Sequence, residues 1–124
     1  MSMKLILSAT VLVGVAVLAA CSSKSASYSK DVQAVLGKNC TECHVPGKPG
    51  FEASGLDMTS YDSLMKGGKF GPLVKPGDAF TSALNMLVEG RANPAIRMPH
   101  GKEKLSAADI ELLKTWVNQG AKNN

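Results

Sequence analysis

Cys40-Thr41-Glu42-Cys43-His44 sets two thiols three positions apart and follows them at once with an imidazole. On a helical turn, positions i and i+3 share a face, so both sulfurs reach along one edge of a flat ring. Covalent haem attachment needs this arrangement, with thioethers to two vinyl groups and the adjacent histidine turned toward the iron. Three other chemistries use a paired thiol. A structural zinc site takes four ligands, usually as two such pairs, and beyond the pentapeptide only Cys21 and His100 remain. A thioredoxin-like dithiol sits within a βαβ pattern, and no strand-like run follows here. The third is a structural disulfide, or a spacing with no role at all. Haem attachment gives each of the three residues a task and asks for no further thiol.

The elements that must position this motif are built from 124 residues, enough for one small domain. The net charge of +4 is spread along the chain rather than gathered in a basic stripe, which argues against a nucleic-acid partner. Aromatic residues make up only 5% of the chain, thin for a core of this size, and a buried porphyrin would supply the missing apolar bulk.

Residues 1–20 read as an export signal. Lys4 supplies the positive end, and Leu5 to Leu18 is an apolar run of signal-peptide rather than membrane-spanning length. It ends in Leu18-Ala19-Ala20-Cys21, which resembles the lipobox of bacterial lipoproteins. That resemblance implies acylation of Cys21 and anchoring of the mature chain to a membrane. Ser22 rather than aspartate follows the cysteine, which points to an outer-membrane address. With Cys21 on lipid and Cys40 and Cys43 on haem, no thiol is left over, and export agrees with haem attachment outside the cytoplasm.

Residues 21–28 are Ser-rich and read as a flexible tether, so the domain is expected over 29–124. Ser27 or Ser29 caps a first helix to about Asn39, with Val32, Val35 and Leu36 as its inward stripe. The Pro-Gly pairs of 45–50 predict an irregular loop, whose carbonyls near Pro46 or Pro49 are candidates to hold the free N–H of His44. Thr59-Ser60-Tyr61-Asp62 caps a short helix that Gly67-Gly68 stops. Asp78 caps a helix from Ala79 to about Glu89 with Phe80, Leu84, Leu87 and Val88 inward, and Gly90 ends it. Ser106 opens a last helix to Gln119, with Ile110, Leu113, Trp116 and Val117 on its apolar face. The expected fold is all-α, about four helices joined by long loops that wrap a ligand.

A haem iron held by histidine can take a methionine, a second histidine, or nothing as its sixth ligand. Met65 and Met86 occupy helical apolar positions that suit core filling. Met58 precedes a cap. Met98 stands in a loop just before proline, which presents it from an irregular segment, and His100 is its main rival.

Taken together, the first helix, Cys40 to His44, Met98-Pro99 and a C-terminal helix bearing Trp116 resemble class I cytochrome c domains. The run through Gly55-Leu56-Asp57, Gly67-Gly68, Pro76-Gly77-Asp78 and Ser82-Ala83-Leu84 is similar to the planctomycete-type cytochrome c domain family. Leu105-Ser106 and Trp116-Val117-Asn118-Gln119-Gly120-Ala121 continue that likeness, over about residues 29–122. The resemblance implies a small cytochrome c-like domain around one covalent haem c, with thioethers at Cys40 and Cys43 and His44 and Met98 as axial ligands. It also implies that the first and last helices pack across each other. The expected role is one-electron transfer to redox partner proteins rather than catalysis, and Lys38, Lys48, Lys69 and Lys75 could steer an acidic partner. The alternative is a peroxidase or gas sensor, in which Met98 is displaced and Arg97 or His100 serves the bound ligand.

Overall fold

The computed structural model describes residues 24–124; the export segment 1–20 and the expected lipid site Cys21 lie outside the described residues. Folding of the chain begins where local capping begins. The Ser27 hydroxyl accepts the free Lys30 N–H, and Asp31 Oδ2 accepts the Ser27 N–H at 2.9 Å. A π-helical turn, Tyr28–Val32, runs straight into α1, Gln33–Asn39, burying Val32, Val35 and Leu36 on one stripe. Part of the expected tether already belongs to the domain. Ala26 is buried, its N–H bonds to Gln119 Oε1 at 2.9 Å, and the Tyr28 N–H bonds to Asn124 Oδ1 at 2.8 Å. These contacts form because the C-terminal residues supply acceptors to Ala26 and Tyr28.

Four more helices follow: α2 Pro49–Ser54, α3 Tyr61–Lys66, α4 Ala83–Glu89 and α5 Ala107–Asn118, with a 3-10 turn at Pro94–Ile96. Among the described residues there is no strand, only an isolated bridge between Gly68 and Gly71. The all-α expectation holds, with one more helix than expected. The extra one is α2. Pro49 does not forbid a helix here because it takes the first helical positions, where a missing N–H costs nothing.

The cap at Ser106 is as the sequence indicates, whereas α3 is capped by Ser60, one residue later than the Thr59–Asp62 spacing expects, in a reciprocal box with Ser63. Asp78 caps a turn instead of a helix: its Oδ1 takes the Thr81 N–H at 3.0 Å, and α4 starts only after Ser82. Phe80 is thereby released from the α4 phase. It is 76% exposed, not inward, and packs beneath the Arg91 guanidinium 4.9 Å from its ring centroid. Leu84 and Val88 do face the core.

The core sits where α5 meets α4 and the opening turn. Leu113, Trp116 and Val117 are almost wholly buried with Val32, Leu36 and Leu64. The Trp116 ring lies 5.7 Å from that of Tyr28, so the first and last helical segments do cross. Residues just past the buried face of α5 tie distant loops to it. Asn118 Oδ1 accepts from the Ala79 N–H at 3.0 Å, the Val117 carbonyl from the Gly77 N–H at 2.7 Å, and the Ala121 carbonyl from the Tyr61 hydroxyl at 2.8 Å.

α2 lies against the backbone of the pentapeptide, and only glycine permits it. A Cβ on Gly50 would stand 2.7 Å from the Cys43 carbonyl oxygen and 3.0 Å from His44 Cε1. Gly50→Ala is expected to destabilise by about 1–3 kcal/mol, the usual cost of overpacking, lowering the melting midpoint by several degrees. Gly37→Ala in α1, with open space around its Cβ, is expected to be neutral or stabilising. Thermal unfolding of the two variants, followed by helix signal, checks both.

Candidate functional site

The pentapeptide extends α1 by one turn. The Cys40 and Thr41 N–H groups still bond to the Leu36 carbonyl, and those of Cys43 and His44 return to the Cys40 carbonyl at 3.1 and 2.9 Å. Both cysteines are free thiols, Cys40 buried and Cys43 exposed. Burial, and then the neighbouring Cys43, push the Cys40 thiol up to about 11, so it stays protonated at neutral pH.

His44 is half-buried, and desolvation holds its pKa below the usual value, while a hydrogen bond from the ring to the Leu56 backbone carbonyl opposes that shift. Neutral imidazole is the form that can ligate a metal. The expected acceptor near Pro46 or Pro49 is not the one found. α2 carries the chain past the ring, so Ser54 and Leu56 face it instead, with Ser54 Oγ 3.5 Å from His44 Nδ1. The correction has the same origin as α2 itself, since a helix brings residues five and seven positions past Pro49 back to the turn.

The second loop approaches the same turn from the other direction. Lys102 pairs with Glu42, inside the pentapeptide, and that hydrogen bond raises the Lys102 pKa, holding its ammonium in the charged form. Arg97 Nη2 donates to the Lys102 carbonyl at 2.8 Å, and the Met98 N–H bonds to the Leu87 carbonyl at 3.1 Å. Met98 is half-buried against the core, whereas His100 is exposed. Met58 is buried, and its N–H bonds to the His44 carbonyl at 2.9 Å. The structure thus sets Lys102 against the Cys40–His44 turn, packs Met98 against the core, and leaves His100 on the surface.

Among the described residues, no three His, Cys, Asp or Glu side chains are gathered as a metal site would require, so a zinc reading lacks its donors. A haem fits the residues that are present. It needs two uncommitted thiols on one turn and a neutral imidazole beside them, and both are there. It also carries two carboxylates. Arg97 Nη1 is buried without a partner, as are both amide atoms of Asn85 on α4, two residues before Leu87. Such groups cost about 1–3 kcal/mol each when left unpaired, and the partly exposed Arg97 guanidinium is a cation that a carboxylate could meet. Sequence reasoning missed Ser54, Leu56 and Asn85, since no local signal sets a serine at a helix end or an asparagine among leucines apart from others of their kind.

No curated protein and no solved structure matches the chain significantly. The family described as Planctomycete cytochrome C matches residues 40–102, from the first cysteine of the pentapeptide through the loop that pairs with it. That span covers half of the chain and both sides of the site described above, and the chain belongs to the planctomycete cytochrome c family.

Proposed function

We propose that this protein is a monohaem c-type cytochrome lipoprotein that carries single electrons between redox proteins outside the cytoplasm. Cys40 and Cys43 hold the haem by thioethers, His44 and Met98 are its axial ligands, and Cys21 is the lipid anchor. The observation that carries this reading is the convergence of two segments about 55 residues apart: the Lys102–Glu42 pair brings the Met98 loop to the haem-attachment turn.

Met58 fits the sixth position less well. Its backbone is bonded to His44's own carbonyl, on the side that the first ligand already serves. His100 projects into solvent, away from the core against which Met98 packs. When bound, the haem iron alternates between ferric and ferrous states and so supplies the one-electron chemistry. The chain's part is to bind, orient and shield. His44 presents a neutral nitrogen, α2 fixes the ring, and Arg97 offers a half-buried guanidinium to a carboxylate. With both axial positions filled by side chains, no open coordination site remains for a substrate, which favours electron transfer over peroxide or diatomic-ligand chemistry. Lys48 and Lys102, near Glu42, suit brief contact with an acidic partner through a small interface. The lipid anchor keeps these encounters at a membrane surface, the outer membrane by the residue after Cys21.

Three outcomes test this. Denatured in alkaline pyridine, the exported protein is expected to keep its haem band with the polypeptide, and Cys40→Ala plus Cys43→Ala to lose it; a colourless wild-type protein, made where c-type cytochromes mature, would sink the proposal. Met98→Ala is expected to lower the reduction potential, because methionine ligation raises it, and to let the reduced protein bind carbon monoxide. His100→Ala is expected to change neither; the opposite pattern moves the ligand to His100. Cys21→Ser is expected to shift the protein from the membrane fraction to the soluble one.

A further inference from the structure

The Ser54 hydroxyl closes α2 directly beside the His44 ring, and its hydrogen bonds leave it only one role toward that ring. Oγ lies 2.6 Å from the Gly50 carbonyl, which can only accept, so the single hydroxyl proton is committed there. The Leu56 N–H donates to the same oxygen at 3.2 Å. What is left is a lone pair, and His44 Nδ1 stands 3.5 Å away. A nitrogen facing that lone pair must carry the proton. The remaining nitrogen, Nε2, then holds the lone pair that a metal needs.

Ser54 cannot drift from this position. The Lys69 N–H bonds to its carbonyl at 2.7 Å, and a Cβ on Gly68 would stand 2.3 Å from that same oxygen, so the Gly67–Gly71 turn is pressed against it. On the other side, Gly50 lies against the His44 ring edge. Through the Leu56 N–H, Ser54 also holds the residue whose backbone carbonyl is the ring's other acceptor. One hydroxyl thus orders the ring's proton, its orientation and its second partner.

We propose that Ser54 is a positioning residue for the axial imidazole, fixing the Nδ1-protonated tautomer of His44 and raising its donor strength toward iron. The proposal rests on reading His44 as an axial ligand. Acceptors on the distant N–H of a ligating histidine make the imidazole more basic, which favours the ferric state. The competing role is a plain helix-end bond from a serine to the carbonyl four residues earlier, which would leave the iron indifferent.

The test uses the haem-loaded protein with Ser54→Ala, Ser54→Thr and Ser54→Val. Loss of the hydroxyl is expected to shift the equilibrium with a fixed redox partner toward the ferrous form by roughly three- to tenfold, or ~30–60 mV at 59 mV per tenfold. The His44 ring N–H, followed by NMR among the hyperfine-shifted resonances, is expected to exchange faster with solvent. Ser54→Thr is expected to restore both values. Ser54→Val, compared with Ser54→Thr at equal size, gives the same contrast if Ser54→Ala does not fold. Unchanged potential and exchange in the variants without the hydroxyl, even with a lowered melting point, would overturn the proposal. Absence of any His44 resonance from the shifted set in the wild-type protein would instead overturn the axial reading, and the proposal with it.

Discussion

The close contact between the α2 backbone and the Cys40–His44 turn is the constraint from which the rest of the site follows. With no side chain at Gly50, the Phe51 N–H reaches the Cys43 carbonyl at 3.0 Å, and two short helical segments share one backbone surface. This contact sets the plane in which the imidazole lies. It also delivers Ser54 and Leu56 to the ring, because a helix of six residues ends one and a half turns from where it starts. Without it, the second Pro-Gly pair would be only a surface turn, and the histidine would have no fixed hydrogen-bond partner.

The two sides of the site are built by different physics. The His44 side is held by backbone groups and glycine packing within about 25 residues of chain, from Cys43 to Lys69. Little freedom remains there. The Met98 side depends on a long loop held by few contacts: one backbone bond to α4, the Arg97 contact to the Lys102 carbonyl, and an exposed pair to Glu42. Exposed ion pairs contribute little, so the position of Met98 rests mainly on the Leu87 carbonyl and on packing against the core. Buried polar atoms without partners occur on this loop at Arg97 Nη1, on α4 at Asn85, and in the α5 core at the Tyr28 hydroxyl.

α5 organises the remainder. Its buried face carries the largest side chain of the core, Trp116, and the residues just beyond that face hold the N-terminal segment, the 77–79 turn and α3. The family likeness read from Trp116 to Ala121 therefore has a physical content. Val117 and Asn118 fasten the 77–79 turn, Gln119 the N-terminal segment and Ala121 α3, and a domain with few aromatics and long connections needs such points more than a tight bundle does.

Features that depend on neighbours in sequence were legible from the chain alone. The two thiols and the imidazole are related by covalent spacing, so their shared chemistry could be read directly. The caps at Ser27 and Ser106 and the glycine stop at Gly90 are local hydrogen-bond and dihedral requirements. The buried stripes of α1 and α5 follow from helical period. Two local readings failed because two local rules competed. Pro49 served as a helix start rather than a breaker, and Asp78 capped a turn that delayed α4 and put Phe80 outside. Tertiary structure alone decided which group meets the His44 ring, which loop reaches Glu42, and which polar side chains are left buried without partners. Those outcomes depend on contacts between segments many residues apart, and a hydroxyl, a guanidinium or an amide acquires its role only from what the folded chain sets beside it.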